Sequence, residues 1–183
     1  YSWPDLSGAT QLEVTLGLSP LSGPVDPRPI GSIWLERREV GRRIALEGFS
    51  KPRTDSLLSY AGVNDPGGRD AFGRVIETGL ELSGLQQLGG PWSLDARLGL
   101  SFLDGENVED NRRVTFGTGL IYELGLDGFD YVTVGPRYAF ETYDENLSRF
   151  TFGHGGYFSP QGLHRISFGA AFQTNDGERF VLR

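Results

Sequence analysis

His154 and His164 are the two histidines of this chain, and it has no cysteine. Neither His-x-x-His nor His-Glu-x-x-His occurs, so a zinc-type site lacks its ligands, and thiolate chemistry and disulfides are excluded. A serine hydrolase needs its nucleophile on a strained turn, and no Gly-x-Ser-x-Gly elbow is present. His154 can be drawn beside Ser148 and Asp144 as a triad, but only on paper. Glu77 and Glu81 share a strand face, and four residues at ~3.3 Å each set them about 13 Å apart, too far for paired acid/base work on a glycosidic bond. These residue types therefore predict no catalysis, no metal and no cofactor.

A second set of polar residues offers a lining. Glu77, Glu81, Asp95, Arg97, Glu123, Tyr131, Arg137 and Glu141 fall on the polar side of a period-two pattern, which gathers both signs of charge and an aromatic ring on one face. If the apolar faces meet lipid, this polar face lines a wet channel that hydrogen-bonds hydroxyl groups weakly at many points. A moving polysaccharide needs such contacts, because one deep site would trap it. If the apolar faces meet a core instead, the same residues are the solvated face of a soluble sheet.

The stretch Phe152 to Gln161, Phe-Gly-His-Gly-Gly-Tyr-Phe-Ser-Pro-Gln, fits neither a strand nor a helix. Gly153, Gly155 and Gly156 permit close backbone approach, while Tyr157, Phe158 and Pro160 supply rigid apolar surfaces, with Ser159 and Gln161 between and after them. The expectation is a gating or plug loop; the plainer reading is a turn between strands.

Composition narrows the classes. Seventeen basic against twenty-four acidic residues give a net charge of −7, which argues against nucleic acid or an anionic membrane surface as partner. The apolar runs fall far short of the ~20 residues of a spanning helix, so any membrane crossing would use strands. A mean hydropathy of −0.29 is compatible with that, because lipid-facing and lumen-facing residues alternate along a barrel strand. The chain opens at Tyr1 rather than Met and ends on Arg183 rather than an aromatic residue, so it reads as a segment of something longer.

The elements that would position these residues are strands. Alternation marks them over 11–18, Ser32–Glu39, Arg42–Phe49, Arg74–Gly84, Trp92–Phe102, Val114–Leu124, Tyr131–Tyr143 and 166–173, with Asn175-Asp-Gly turning the chain into a last strand from Arg179. Trp92–Phe102 is the clearest: six apolar positions alternate with small or charged ones, aromatics stand at both ends, and its length is near the ~9–11 residues of a spanning strand. A cation placed at Leu98 should be costly there, and one at Ser101 cheap. Loops are expected over 20–29 and 51–72, an acidic loop over Asp104–Arg112, and another at 144–146. About ten strands joined in sequence, starting roughly twenty residues apart, favour an up-and-down barrel over a sandwich.

Three segments together carry a family likeness. Asp55-Ser-Leu-Leu-Ser-Tyr-Ala-Gly-Val-Asn-Asp-Pro, Gly105-Glu-Asn-Val-Glu-Asp-Asn-Arg and Gly155-Gly-Tyr-Phe-Ser-Pro-Gln, in this order, resemble the C-terminal outer-membrane domain of the bacterial cellulose synthase operon protein C family, from about Ser32 to about Phe172. The resemblance implies an all-β fold, a transmembrane antiparallel up-and-down β-barrel of which this chain is part of sixteen strands. It implies a place in the bacterial outer membrane, with outer-membrane lipid around it. It also implies export of a β-glucan polysaccharide chain through the lumen, gated by the long loops. The partners it implies are periplasmic helical repeats, absent from these 183 residues, and an inner-membrane synthase complex. The alternatives are a soluble β-sandwich that binds glycans and a small outer-membrane enzyme.

Overall fold

The computed structural model describes residues 8–174. Their alternating sequence forms eight strands: β1 (Thr10–Leu18), β2 (Pro29–Glu39), β3 (Arg42–Pro52), β4 (Gly73–Gly89), β5 (Trp92–Glu106), β6 (Val108–Glu123), β7 (Phe129–Tyr143) and β8 (Leu163–Thr174). All lie in one antiparallel sheet in chain order, each paired with its sequence neighbours. The sheet is open among the described residues, with β1 and β8 at its edges. The expected turn at 175–177 and the strand from Arg179 lie outside the described residues.

Register segregates the two faces. Leu35 pairs with Leu46, Leu46 with Leu82, Leu82 with Leu98 and Leu98 with Phe116, so one apolar position sits beside the next across five strands. Leu12, Val14, Leu80, Leu98, Leu100, Phe102, Ile166 and Phe168 on this face are all exposed. Nothing among the described residues covers it. A soluble sheet would place such a face on a core, because an exposed apolar expanse of this extent drives association.

The connections differ sharply between the two ends of the sheet. At one end, residues 40–41, 90–91 and 124–128 join β2–β3, β4–β5 and β6–β7. At the other, the long connections 19–28, 53–72 and 144–162 are gathered, together with a tight β5–β6 turn. That tight turn corrects the acidic loop expected over Asp104–Arg112. Gly105 pairs with Val108, and Asn107 takes φ 49°, a conformation that Asn tolerates. Its charged residues belong to strand ends, where polar side chains hide the alternation.

The 53–72 connection contains one short helix, α1 (Leu57–Ala61), started by a capping box in which Ser56 and Ser59 bond each other's backbone N–H. At the start of β4 a register irregularity between Gly73 and Ile76 turns Arg74 out of the ladder. Arg74 has φ 46° and is fully buried, and its guanidinium donates to the carbonyls of Pro20, Ser22 and Ala61 and to Ser19 Oγ. One side chain thus ties two long connections to the wall.

Candidate functional site

The polar face divides into a sealed part at the long-connection end and an open part below it. Glu77 is the centre of the sealed part, with 1% of its surface exposed. Its Oε1 accepts from Ser101 Oγ at 2.7 Å and from Arg113 Nη1 at 2.9 Å, and its Oε2 accepts from Arg53 Nη1 at 3.0 Å. Arg113 also donates to Glu141 Oε2 at 2.7 Å, and Arg53 donates twice to Asp55, both at 2.9 Å. Three carboxylates and two guanidiniums therefore form one chain across β4, β6, β7 and the segment after β3. Buried charges persist only when paired and hydrogen-bonded in this way.

The glycine-rich stretch folds down onto this network. Tyr157, 1% exposed, packs with Val75, Leu103, Tyr143 and Leu147 in an apolar cluster between the connection and the polar face. Its hydroxyl accepts from Asn111 Nδ2 at 3.1 Å, and the Arg53 guanidinium lies 5.6 Å from its ring centre. Burial pushes the Tyr157 phenol up to about 12, against the lowering effect of the Asn111 bond. The backbone is held as well. Tyr143 N donates to Pro160 O at 3.0 Å, Gly156 N to Leu147 O at 3.0 Å, Glu109 N to Gly153 O at 2.9 Å, and Leu147 N to Ser159 Oγ at 2.8 Å. A Cβ on Gly155 would run into the Tyr157 ring, so only glycine lets the tyrosine fold back. Phe158 points outward, its N–H bonded to Asp55 Oδ1 at 3.2 Å, and Gln161 Nε2 donates to Asp144 O at 3.1 Å.

The open part is a trough of about 310 Å³ whose lining includes Glu81, Asp95, Arg97, Arg137, Glu141 and Arg165. Arg97 stands 3.9 Å from Glu81, and Arg137 stands 3.7 Å from Asp95, loose pairs that leave the two guanidiniums more than half exposed to solvent. Gly119 makes room for the second pair, because a Cβ there would lie 2.5 Å from Asp95 Oδ1 and 3.0 Å from Arg137 Cγ. This surface can offer hydroxyl-rich molecules many shallow hydrogen bonds.

Of the expected lining residues, the trough brings together Glu81, Asp95, Arg97, Arg137 and Glu141. Glu123 and Tyr131 lie on the same face by register, towards the short-turn end and away from the trough. Glu77 is a correction: it is a buried hub rather than a wet lining residue. Ser101 is another, since it is buried against Glu77, and a cation there would break the network rather than join a lumen. The hypothetical triad also disperses: His154 Nδ1 meets Thr151 Oγ1, Ser148 Oγ donates to Asn146 Oδ1, and Asp144 pairs with Arg112. Sequence reasoning missed Arg53, Arg113 and Asn111. The odd-numbered parity of Arg113 with Thr115 and Gly117 was the available signal, masked when residues before 114 read as a loop.

An open antiparallel wall with one apolar face and one charged face is the class that fold and site define. The chain matches the family model described as the C-terminus of cellulose synthase operon protein C over residues 5–183, and it belongs to that family. It is 35% identical over 158 residues to cellulose synthase operon protein C of Xanthomonas axonopodis pv. citri, covering 84% of this chain and 10% of that protein. It is 38% identical over 154 residues to the Pseudomonas fluorescens protein of the same name, covering 82% and 12%. Cellulose synthase 2 operon protein C of Komagataeibacter xylinus is 34% identical over 149 residues, covering 80% and 11%. The chain thus spans about a tenth of the length of these relatives.

Proposed function

We propose that this chain is part of the wall of an outer-membrane β-barrel through which cellulose or a related β-glucan leaves the cell. The carrying observation is the segregation of the sheet: an exposed apolar face on one side, interrupted by Arg37 towards the short-turn end, and a charged face with a shallow trough on the other. From Trp92 to Phe102 the apolar face runs eleven residues, whose ten steps span about 33 Å along the strand, or roughly 25 Å once tilted by ~40°, the height of a barrel's lipid-facing band. Trp92 and Tyr122 meet edge to face at 4.7 Å, and Phe129 and Phe172 at 6.0 Å, forming an aromatic girdle at the short-turn end. Short turns at one end and long connections at the other match the periplasmic and external ends of such barrels. The wall binds and passes the polymer without transforming it, and a helical-repeat segment and the inner-membrane synthase would deliver it from the periplasm.

The full-length protein that carries this chain should require detergent and migrate faster unheated than boiled on a gel. Its removal should stop appearance of β-glucan outside the cell while synthesis continues. A protein that stays monodisperse without detergent would sink this reading.

A further inference from the structure

Tyr157 of the 144–162 connection packs on the charged face, Phe152 and Phe158 meet the 53–72 connection, and the level at which the connection docks can be read from register. On the apolar side, Leu100 pairs with Val114 and the next outward pair is Phe102 with Arg112, whose side chain pairs with Asp144 in solvent. The band of lipid-compatible residues therefore ends at this second pair, with Phe102 its last apolar member and Arg112 the first charged one. Ser101 and Arg113, partners of Glu77, form the intervening pair on the opposite face. The charge network and Tyr157 sit at the boundary of the apolar band, inside the mouth that bears the long connections.

A gate must open at modest cost, so its closed contacts should be few, exposed and replaceable by solvent. This connection has the opposite character. Tyr157, Ser159 and Leu147 are buried, its backbone bonds to β6, to the end of β7 and to itself, and its docking surface rests on a paired, desolvated carboxylate. A neutral polymer that makes many weak contacts gives no strong differential affinity with which to strip it off.

We propose that the 144–162 connection is a fixed constriction at the external mouth, seated by Tyr157 and the Arg53–Glu77–Arg113–Glu141 network, which sets the width of what may pass and stays in place during passage. This rests on the conduit reading above. Residues Glu77 and Tyr157 are then positioning residues for the bore, and the polymer runs past the connection over the trough side lined by Arg97, Arg137 and Arg165.

Two variants of the full-length protein test this. Val108 and Gly153 form a parallel bridge, so Val108→Cys with Gly153→Cys can staple the connection to β6 in a segment otherwise free of cysteine, and wild-type gel migration of the reduced form checks that a cysteine at the φ 90° of Gly153 leaves the fold intact. Secretion of β-glucan should be the same for the oxidised and the reduced form of this variant. Secretion lost on oxidation and regained with reductant would show a moving gate and overturn the proposal. In the second variant, Gly155–Pro160 is replaced by a flexible linker of equal length. Single-channel conductance and uptake of a large fluorescent dextran should rise several-fold, while gel migration shows the barrel intact. Unchanged permeability in that folded variant would remove the constriction. Permeability decides the constriction even if the wild type secretes no glucan, an outcome that would remove the conduit reading alone.

Discussion

The two ends of this sheet solve different problems with the same strands. At the short-turn end the wall is plain: tight turns, an aromatic girdle facing outward, and Glu123 and Tyr131 on the charged face beyond the trough. At the other end three long connections are locked by arginines, Arg74 reaching three carbonyls and Arg53 and Arg113 converging on Glu77. Long connections at the end of a sheet need not be mobile. Here they are ordered by arginines from β4, from β6 and from just after β3, so order comes from charge pairing at one end and from short turns at the other.

The contrast predicts its largest effect at Glu77. Glu77→Ala removes the fully buried carboxylate that the half-buried Arg53 and Arg113 share, leaving them Asp55 and Glu141 alone, and should lower stability by about 3 kcal/mol in denaturant unfolding. A loss no greater than that of an exposed substitution would mean that the network is wet. Leu98→Arg, in the middle of the apolar band, should cost about 2–4 kcal/mol, whereas Ser167→Arg on the trough side should cost far less; equal losses would show the faces assigned the wrong way round. Tyr157→Phe removes only the bond from Asn111 and should cost about 1 kcal/mol, with conductance barely changed. Docking of the connection should also weaken in alkali. The phenol is neutral in both states below its ordinary value near 10, so pH has no effect there. Between about 10 and 12 the undocked tyrosine ionises while the docked one does not, and stability falls as pH rises. Ultraviolet titration of phenolate set against the unfolding midpoint would check this. Asp65→Asn should change nothing measurable. Arg69 holds the Asp65 carboxyl below its ordinary range by hydrogen bonding at 2.7 Å, but the guanidinium itself stands in solvent, and a neutral amide can still accept its bond.

What the sequence disclosed follows the same division. Alternation is plain from Trp92 to Phe102, where the apolar and the charged face make opposite demands at each step, and the strand is legible there with its faces. It failed at 104–112, because beyond the apolar band neither face need be greasy, and charged strand looks like charged loop. The glycine-rich stretch was legible as a special path but not as a docked one. Its anchor, Glu77, lies some eighty residues earlier, and periodicity places a carboxylate on a face without saying whether another segment covers it. Burial of a charge depends on partners such as Arg53 and Arg113, which only the assembled register brings within reach.

Because each strand pairs only with its sequence neighbours, most of this wall can form hairpin by hairpin, with short loop closures and little need to search. The Glu77 network is the exception. Its members lie on β4, β6 and β7 and after β3, so it closes only when four successive pairings have all taken the correct register. A slip of one residue anywhere among them would turn a guanidinium onto the apolar face and leave the carboxylate unmatched. The buried charges thus act as a proofreading step late in assembly, rejecting misaligned walls that apolar contacts alone would tolerate.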